Sequence, residues 1–133
     1  MKKDTPILIS EGVEIVISPR PNDNDGQLWD VFLVNHNDFN LKNVLISSRG
    51  YGNINGRDKV TATLRHFVEE IPALSYHLIE PIQIDVFGIS NEYWLSYNHG
   101  LDMLEKKFIF EPNTIQSASL KKVAILERDA VRC

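Results

Sequence analysis

The chain has 133 residues, 43% of them hydrophobic and 24% charged, a formal net charge of −4 and one cysteine, Cys133. These are the values of one globular domain, residues 1–133, large enough to bury a core without a metal or disulfide staple. A lone cysteine excludes an internal disulfide and suits a reducing compartment. The apolar run of residues 7–9 is too short for a signal-peptide core, and no later run approaches the about 20 residues of a membrane span, so a soluble, cytoplasmic protein without membrane contact is expected.

Alternation at period two dominates the chain. Val13, Ile15 and Ile17 alternate with Glu14, Val16 and Ser18, which predicts a strand with one buried face. "PRPNDNDG" follows, where two prolines and an Asn/Asp/Gly run make a turn. "LWDVFLVN" is the second strand, with Trp29, Val31 and Leu33 on one face. After the turn "NHNDFNL" comes "KNVLISS", a third strand. "KVTATLRHFVEE" is read as a fourth, with Val60, Ala62, Leu64 and His66 on one side, because β-branched Val and Thr favour extension. "SYHLIEPI" and "IQIDVFG" are extended pieces separated by Pro81. "EYWLSYN" and "LDMLEKKFIFE" form a hairpin around His99 and Gly100, and "LKKVAILE" is a last strand.

About seven to nine short strands with frequent turn signals predict an all-β fold, an antiparallel immunoglobulin-like β-sandwich. Its core is expected from Val13, Ile15, Ile17, Trp29, Val31, Leu33, Val44, Ile46, Leu64, Leu78, Tyr93, Leu95 and Phe108. The stretch from Asn35 to Val44 resembles a hairpin of immunoglobulin-like and fibronectin-III-like domains.

The stretch "SSRGYGNINGRDK", residues 47–59, joins glycines to cations. A phosphate loop needs G-x-x-x-x-G-K-[ST] opening a helix. Here Arg57 and Asp58 follow Gly56, and the next residues are strand-like, so neither a phosphate loop nor a dinucleotide fingerprint is expected. Pairing Val44 with Leu64, Ile46 with Ala62 and Ser48 with Val60 instead gives a hairpin whose mobile tip is Gly50–Asp58. Taken whole, the chain also resembles a small bacterial family sometimes labelled phenylalanyl-tRNA synthetase subunit alpha, on "LWDVFLVN", "NVLISSRGYG", "TLRHF", "LIEPI" and "NEYWLS". That label implies a class II synthetase, whose glycine-rich strand carries an arginine that contacts ATP. Gly50, Gly52, Gly56 and Arg57 correspond to it only loosely. The sequence lacks the strand-plus-helix frame and an Arg-containing partner motif, and it is too short for that catalytic core, so synthetase catalysis is not expected.

No other constellation predicts catalysis, a cofactor or a metal. His36, His66, His77 and His99 lack zinc-site spacings, and "NDNDG" fails the EF-hand register. No serine sits in a nucleophile motif. Charge is unevenly spread: Lys42, Arg49, Arg57, Lys59 and Arg65 are opposed within their stretch only by Asp58, whereas residues 66–105 hold no Lys or Arg. The expected function is therefore a non-catalytic protein-interaction or structural module, with a protein partner or self-association through a surface of Arg49, Tyr51, Arg57, Lys59 and Arg65. The alternatives are a nucleic-acid-binding accessory protein that uses the basic hairpin 42–67, where Arg49, Arg57, Lys59 and Arg65 would contact phosphates and Tyr51 and Phe67 would stack on bases, and a small enzyme with an unrecognised site.

Overall fold

The computed structural model describes residues 7–133, the side chain of residue 7 excepted. The described chain is all-β. It contains β1 (Ile7–Ile9), β2 (Val13–Pro19), β3 (Leu28–Asn35), β4 (Leu41–Ile54), β5 (Arg57–Val60), β6 (Leu64–Ile71), β7 (Ser75–Gln83), β8 (Ser90–His99), β9 (Asp102–Phe110), β10 (Lys121–Val123) and β11 (Arg128–Arg132). The larger sheet has the order β1-β9-β8-β4-β5, with β6 also paired to β4. The smaller has the order β10-β11-β2-β3-β7. Every pairing is antiparallel except β1 with β9. No helix among the described residues is long and apolar enough to cross a membrane.

The inner faces of the two sheets meet in one core. Val13, Ile15 and Ile17 of β2 and Trp29, Val31 and Leu33 of β3 pack there with Val44, Ile46, Tyr93, Leu95, Tyr97, Phe108 and Phe110. Trp29 is 8% exposed and meets Phe87 edge-on, with ring centroids 5.2 Å apart. The strand of residues 13–18 does not have a single buried face, however. Val16 is fully buried on the other side, with Phe32 and Val34, under Val123, Leu126 and Ala130. The C-terminal segment supplies that cover, by pairing β11 with β2 and turning β10 and a short 3₁₀ turn (Ala124–Leu126) over the sheet.

Two residues expected in the core are half-exposed. Leu78 is 47% exposed because the β3–β7 register shifts between Phe32, opposite Leu78, and Val31, opposite Glu80. The extra residue, Ile79, takes the buried place, as a β-bulge allows. Leu64 is 50% exposed because β4 and β6 pair four residues away from the expected register: Val44 meets Val68, Ile46 meets His66 and Ser48 meets Leu64. The buried face is preserved by an even shift, so the hydrophobic pattern alone could not distinguish the two registers.

The return strand is also broken. Tyr51 faces Val60 while Ser48 faces Leu64, so the return strand holds one residue more than β4. That extra residue turns Val60 outward and splits the predicted strand of residues 59–70 into β5 and β6. With the short β1 and β10, this raises the strand total above the expected seven to nine. The hairpin tip is not Gly50–Asp58: β4 runs on to Ile54, and the turn is Asn55–Gly56, with φ of 53° and 79°. Both values are those of a two-residue type I′ hairpin turn. Pro81 does not interrupt β7, because an edge strand tolerates a residue without an N–H. Residues 84–86 form a 3₁₀ turn rather than a strand. "LKKVAILE" contributes only β10 before its own 3₁₀ turn, and the last strand is β11.

Candidate functional site

The outer face of the larger sheet follows from alternation. With Val44, Ile46 and Ser48 inward on β4, Leu45, Ser47, Arg49 and Tyr51 point out. Tyr93 and Leu95 inward on β8 leave Glu92, Trp94 and Ser96 outward. The registers then lay side chains in rows across the strands. One row is Arg65, Ser47, Trp94 and Lys107, and the next is Phe67, Leu45, Ser96 and Glu105. Trp94 and Leu45 are each 41% exposed and Phe67 is 65% exposed. The Lys107 ammonium lies 4.8 Å from the centre of the Trp94 ring.

Three of the five residues singled out from the sequence share this face. Arg49 donates through Nε to Glu92 Oε2 at 3.3 Å, and the Tyr51 hydroxyl donates to Glu92 Oε1 at 3.2 Å. The Arg49 guanidinium also sits 5.1 Å from the Tyr51 ring centre. Burial, then the hydrogen bond and charge of Glu92, raises the Tyr51 phenol above its ordinary value. Arg65 lines the same shallow depression as Arg49, Glu92 and Trp94. Arg57 and Lys59 do not join them. They pair with Ile54 and Gly52, and alternation places them on the opposite side of the β4–β5 ribbon from Tyr51. The basic hairpin therefore presents two separate cationic groups.

Gly50 and Gly52 serve packing. A Cβ on Gly50 would stand 2.9 Å from Ile89 Cδ1, and one on Gly52 would stand 3.0 Å from Ile89 Cγ2. The glycine-rich stretch is a strand held between β8 and β5, with no helix after it to receive an anion.

A second polar constellation lies at the sandwich edge, in a cleft of about 330 Å³ between the β6 and β7 sides. The bulge at Ile79 aims Glu80 inward, where its side chain is 11% exposed. The Glu80 carboxylate accepts from Ser48 Oγ at 2.9 Å and from the Tyr93 hydroxyl at 3.3 Å, and it lies 2.6 Å from His66 Nε2. Burial and the adjacent Glu80 charge push the Tyr93 phenol well up. Here the carboxylate stands between hydroxyl and imidazole. An activated serine needs the imidazole against the hydroxyl, so the geometry ties two sheets together and does not arm a nucleophile.

The chain matches no protein-family model and no curated protein. The site is thus read from its own residues. Trp94, Leu45 and Lys107 were not singled out from the sequence, although the alternation that buries Tyr93 and Leu95 already turns Trp94 outward; Phe67 was, as a stacking aromatic of the basic hairpin. The Glu80 cluster had no such signal, because its members come from four strands and depend on a bulge.

Proposed function

We propose that the domain is a non-catalytic interaction module, built as an immunoglobulin-like sandwich, that offers the outer face of its larger sheet to a protein partner. The strand order supports the sandwich assignment. β2-β3-β7 opposite β9-β8-β4-β6 corresponds to the A-B-E and G-F-C-C′ order of that architecture.

The observation that carries the interaction reading is an asymmetry. The outer face of the smaller sheet is covered, with Val16, Phe32 and Val34 under the C-terminal segment. The outer face of the larger sheet keeps Leu45, Phe67 and Trp94 exposed in neighbouring rows. Exposed apolar patches of this kind mark association surfaces, and aromatic and arginine side chains are the usual anchors of such surfaces. Arg65 and Lys107 at the ends of the Trp94 row suit a partner that surrounds an apolar patch with carboxylates. The separation of Arg57 and Lys59 from Arg49 and Tyr51 disfavours a continuous nucleic-acid track.

The test is affinity capture followed by reconstitution with the purified captured protein. Wild type is compared with Leu45→Ser/Trp94→Ala and with Leu101→Ser, a control at a loop residue that is 97% exposed. Binding weakened about tenfold or more in the face variant and unchanged in the control supports the reading, as loss of an interface anchor would. Equal binding by all three, or capture of RNA in place of protein, overturns it.

A further inference from the structure

β6 is a long, unpaired edge of the larger sheet. It bonds β4 along one side, and among the described residues its other side bonds no strand or loop. Sheet edges are commonly blunted by brevity, proline or charged side chains, lysine above all. β1 and β10 have three residues each, β7 carries Pro81 and β5 carries Lys59. β6, "LRHFVEEI", has eight residues and neither proline nor lysine, and the charges it carries, Arg65, Glu69 and Glu70, are of both signs.

The exposed side of β6 is also complementary to itself. Exposure alternates from Arg65 through Phe67 to Glu69, with His66 and Val68 turned inward, and the alternation ends at Glu70 and the buried Ile71. Antiparallel pairing of two copies about a two-fold axis at Phe67 sets Phe67 against the partner's Phe67. The same register sets Arg65 against the partner's Glu69, and Glu69 against the partner's Arg65. Among the described residues, neither Arg65 nor Glu69 is in an ion pair within the chain. The break at residues 61–63 and Pro72 bound the pairing segment on its two sides.

We infer that the partner of this edge is a second copy of the chain, docked β6 to β6 in that register. Directly opposed unlike charges and paired aromatic rings are the cross-strand contacts that stabilise an antiparallel pair, and the two-fold axis makes the Arg65–Glu69 contact twice, on either side of the single Phe67 pair. The two larger sheets then become one continuous sheet, with both Trp94 residues on the same outer face. The inference goes beyond the face proposed above, because it concerns a backbone edge, and Trp94 separates the two in the test.

Sedimentation equilibrium of the full chain measures it, with far-UV circular dichroism to confirm folding of each variant. Wild type is expected to dimerise, more weakly as salt rises. Arg65→Glu alone and Glu69→Arg alone each oppose like charges across the axis, and each is expected to raise the dissociation constant about tenfold or more. The double variant Arg65→Glu/Glu69→Arg restores unlike pairs and should return to within about threefold of wild type, since pairing energy depends on the opposition of charge. Mixing the two single variants should yield a heterodimer, and Trp94→Ala should leave dimerisation unchanged. A monomeric wild type, a double variant that stays weak, or a mixture that forms no heterodimer overturns the edge pairing without touching the face reading. Loss of the dimer in Trp94→Ala with no response to the charge variants assigns association to the face instead.

Discussion

His66 Nε2 on β6 and Glu80 Oε1 on β7 lie 2.6 Å apart, and this contact closes the edge of the sandwich where the two sheets exchange no backbone hydrogen bonds. Ser48 and Tyr93 bring their hydroxyls to the same carboxylate. A carboxylate so placed holds β4, β6 and β8 of one sheet to β7 of the other. Glu80→Ala should cost about 2–4 kcal/mol in a denaturant melt, because it leaves partly buried donors without their acceptor. A loss below about 0.5 kcal/mol would mean that water replaces Glu80 without penalty.

The phenols predict the alkaline limit of the fold. Tyr93 is held well above its ordinary value by burial and Glu80, and Tyr97 is raised by burial. Below about pH 10 both states keep these protons and the phenols add no pH dependence. Above it the unfolded chain ionises first, which favours unfolding, so stability falls as pH rises toward the folded-state values. Each phenol that ionises only in the unfolded state contributes a slope of about 1.4 kcal/mol per pH unit. Tyr93→Phe should flatten the stability curve between about pH 10 and 11. A curve as steep as wild type would show that Tyr93 is not the group responsible.

Core truncations distinguish alternation from bulge. Trp29→Ala should cost about 3–5 kcal/mol and Ile79→Ala about 2–4, as buried large-to-small changes do. Leu78→Ala and Leu64→Ala should each cost less than about 1 kcal/mol, since both side chains are half-exposed. Comparable losses at Leu78 and Ile79 would place the bulge elsewhere.

These four residues also show what was legible in the sequence. Trp29, with Val31 and Leu33, lies on a regular strand, where period two assigns the face without reference to a partner. Leu78 precedes a bulge, and a bulge belongs to the strand pair: nothing in "SYHLIEPI" says that Val31 and Phe32 will straddle Ile79. Leu64 depends on a register that an even shift leaves equally hydrophobic. The same limit applies to the site. Arg49 and Tyr51 are two residues apart on one strand and were legible as neighbours, whereas Glu92, which joins them, arrives from β8. The second buried face of β2 was hidden because Val123, Leu126 and Ala130 are remote in sequence and lie in short elements with weak periodicity.

Gly50 is predicted to be steric in its requirement. Gly50→Ala should cost about 1–3 kcal/mol, as overpacking does, because the new methyl meets Ile89 Cδ1 at 2.9 Å and Thr61 Cγ2 at 3.2 Å. Ile89→Val removes that Cδ1 and should recover part of the loss, giving a coupling of about 0.5 kcal/mol or more in a double-mutant cycle. Additive effects would mean that the glycine answers to backbone freedom and not to Ile89.

Arg128 is predicted to latch the cover over the smaller sheet. Its Nε donates to Ser18 Oγ at 2.9 Å, Nη2 donates to the Pro19 carbonyl, and Nη2 lies 3.5 Å from Asp30 Oδ2. The guanidinium also sits 5.0 Å from the centre of the Phe32 ring. Asp30 is only 5% exposed and keeps a second partner, Arg20, at 2.7 Å. Arg128→Ala therefore leaves Asp30 paired, and the expected cost is about 1–3 kcal/mol, less than for a fully orphaned buried charge. The loss should be local in its dynamics. Amides of residues 121–132 should exchange faster than in wild type, while those of β3 facing β7 keep their protection. The opening should also expose Val16, Phe32 and Val34, which would raise binding of an apolar dye. Arg128→Lys should restore little, because one ammonium cannot serve Ser18, the Pro19 carbonyl and Asp30 in the geometry of a guanidinium. Uniform acceleration of exchange across both sheets would instead show that the C-terminal segment unfolds only with the whole domain.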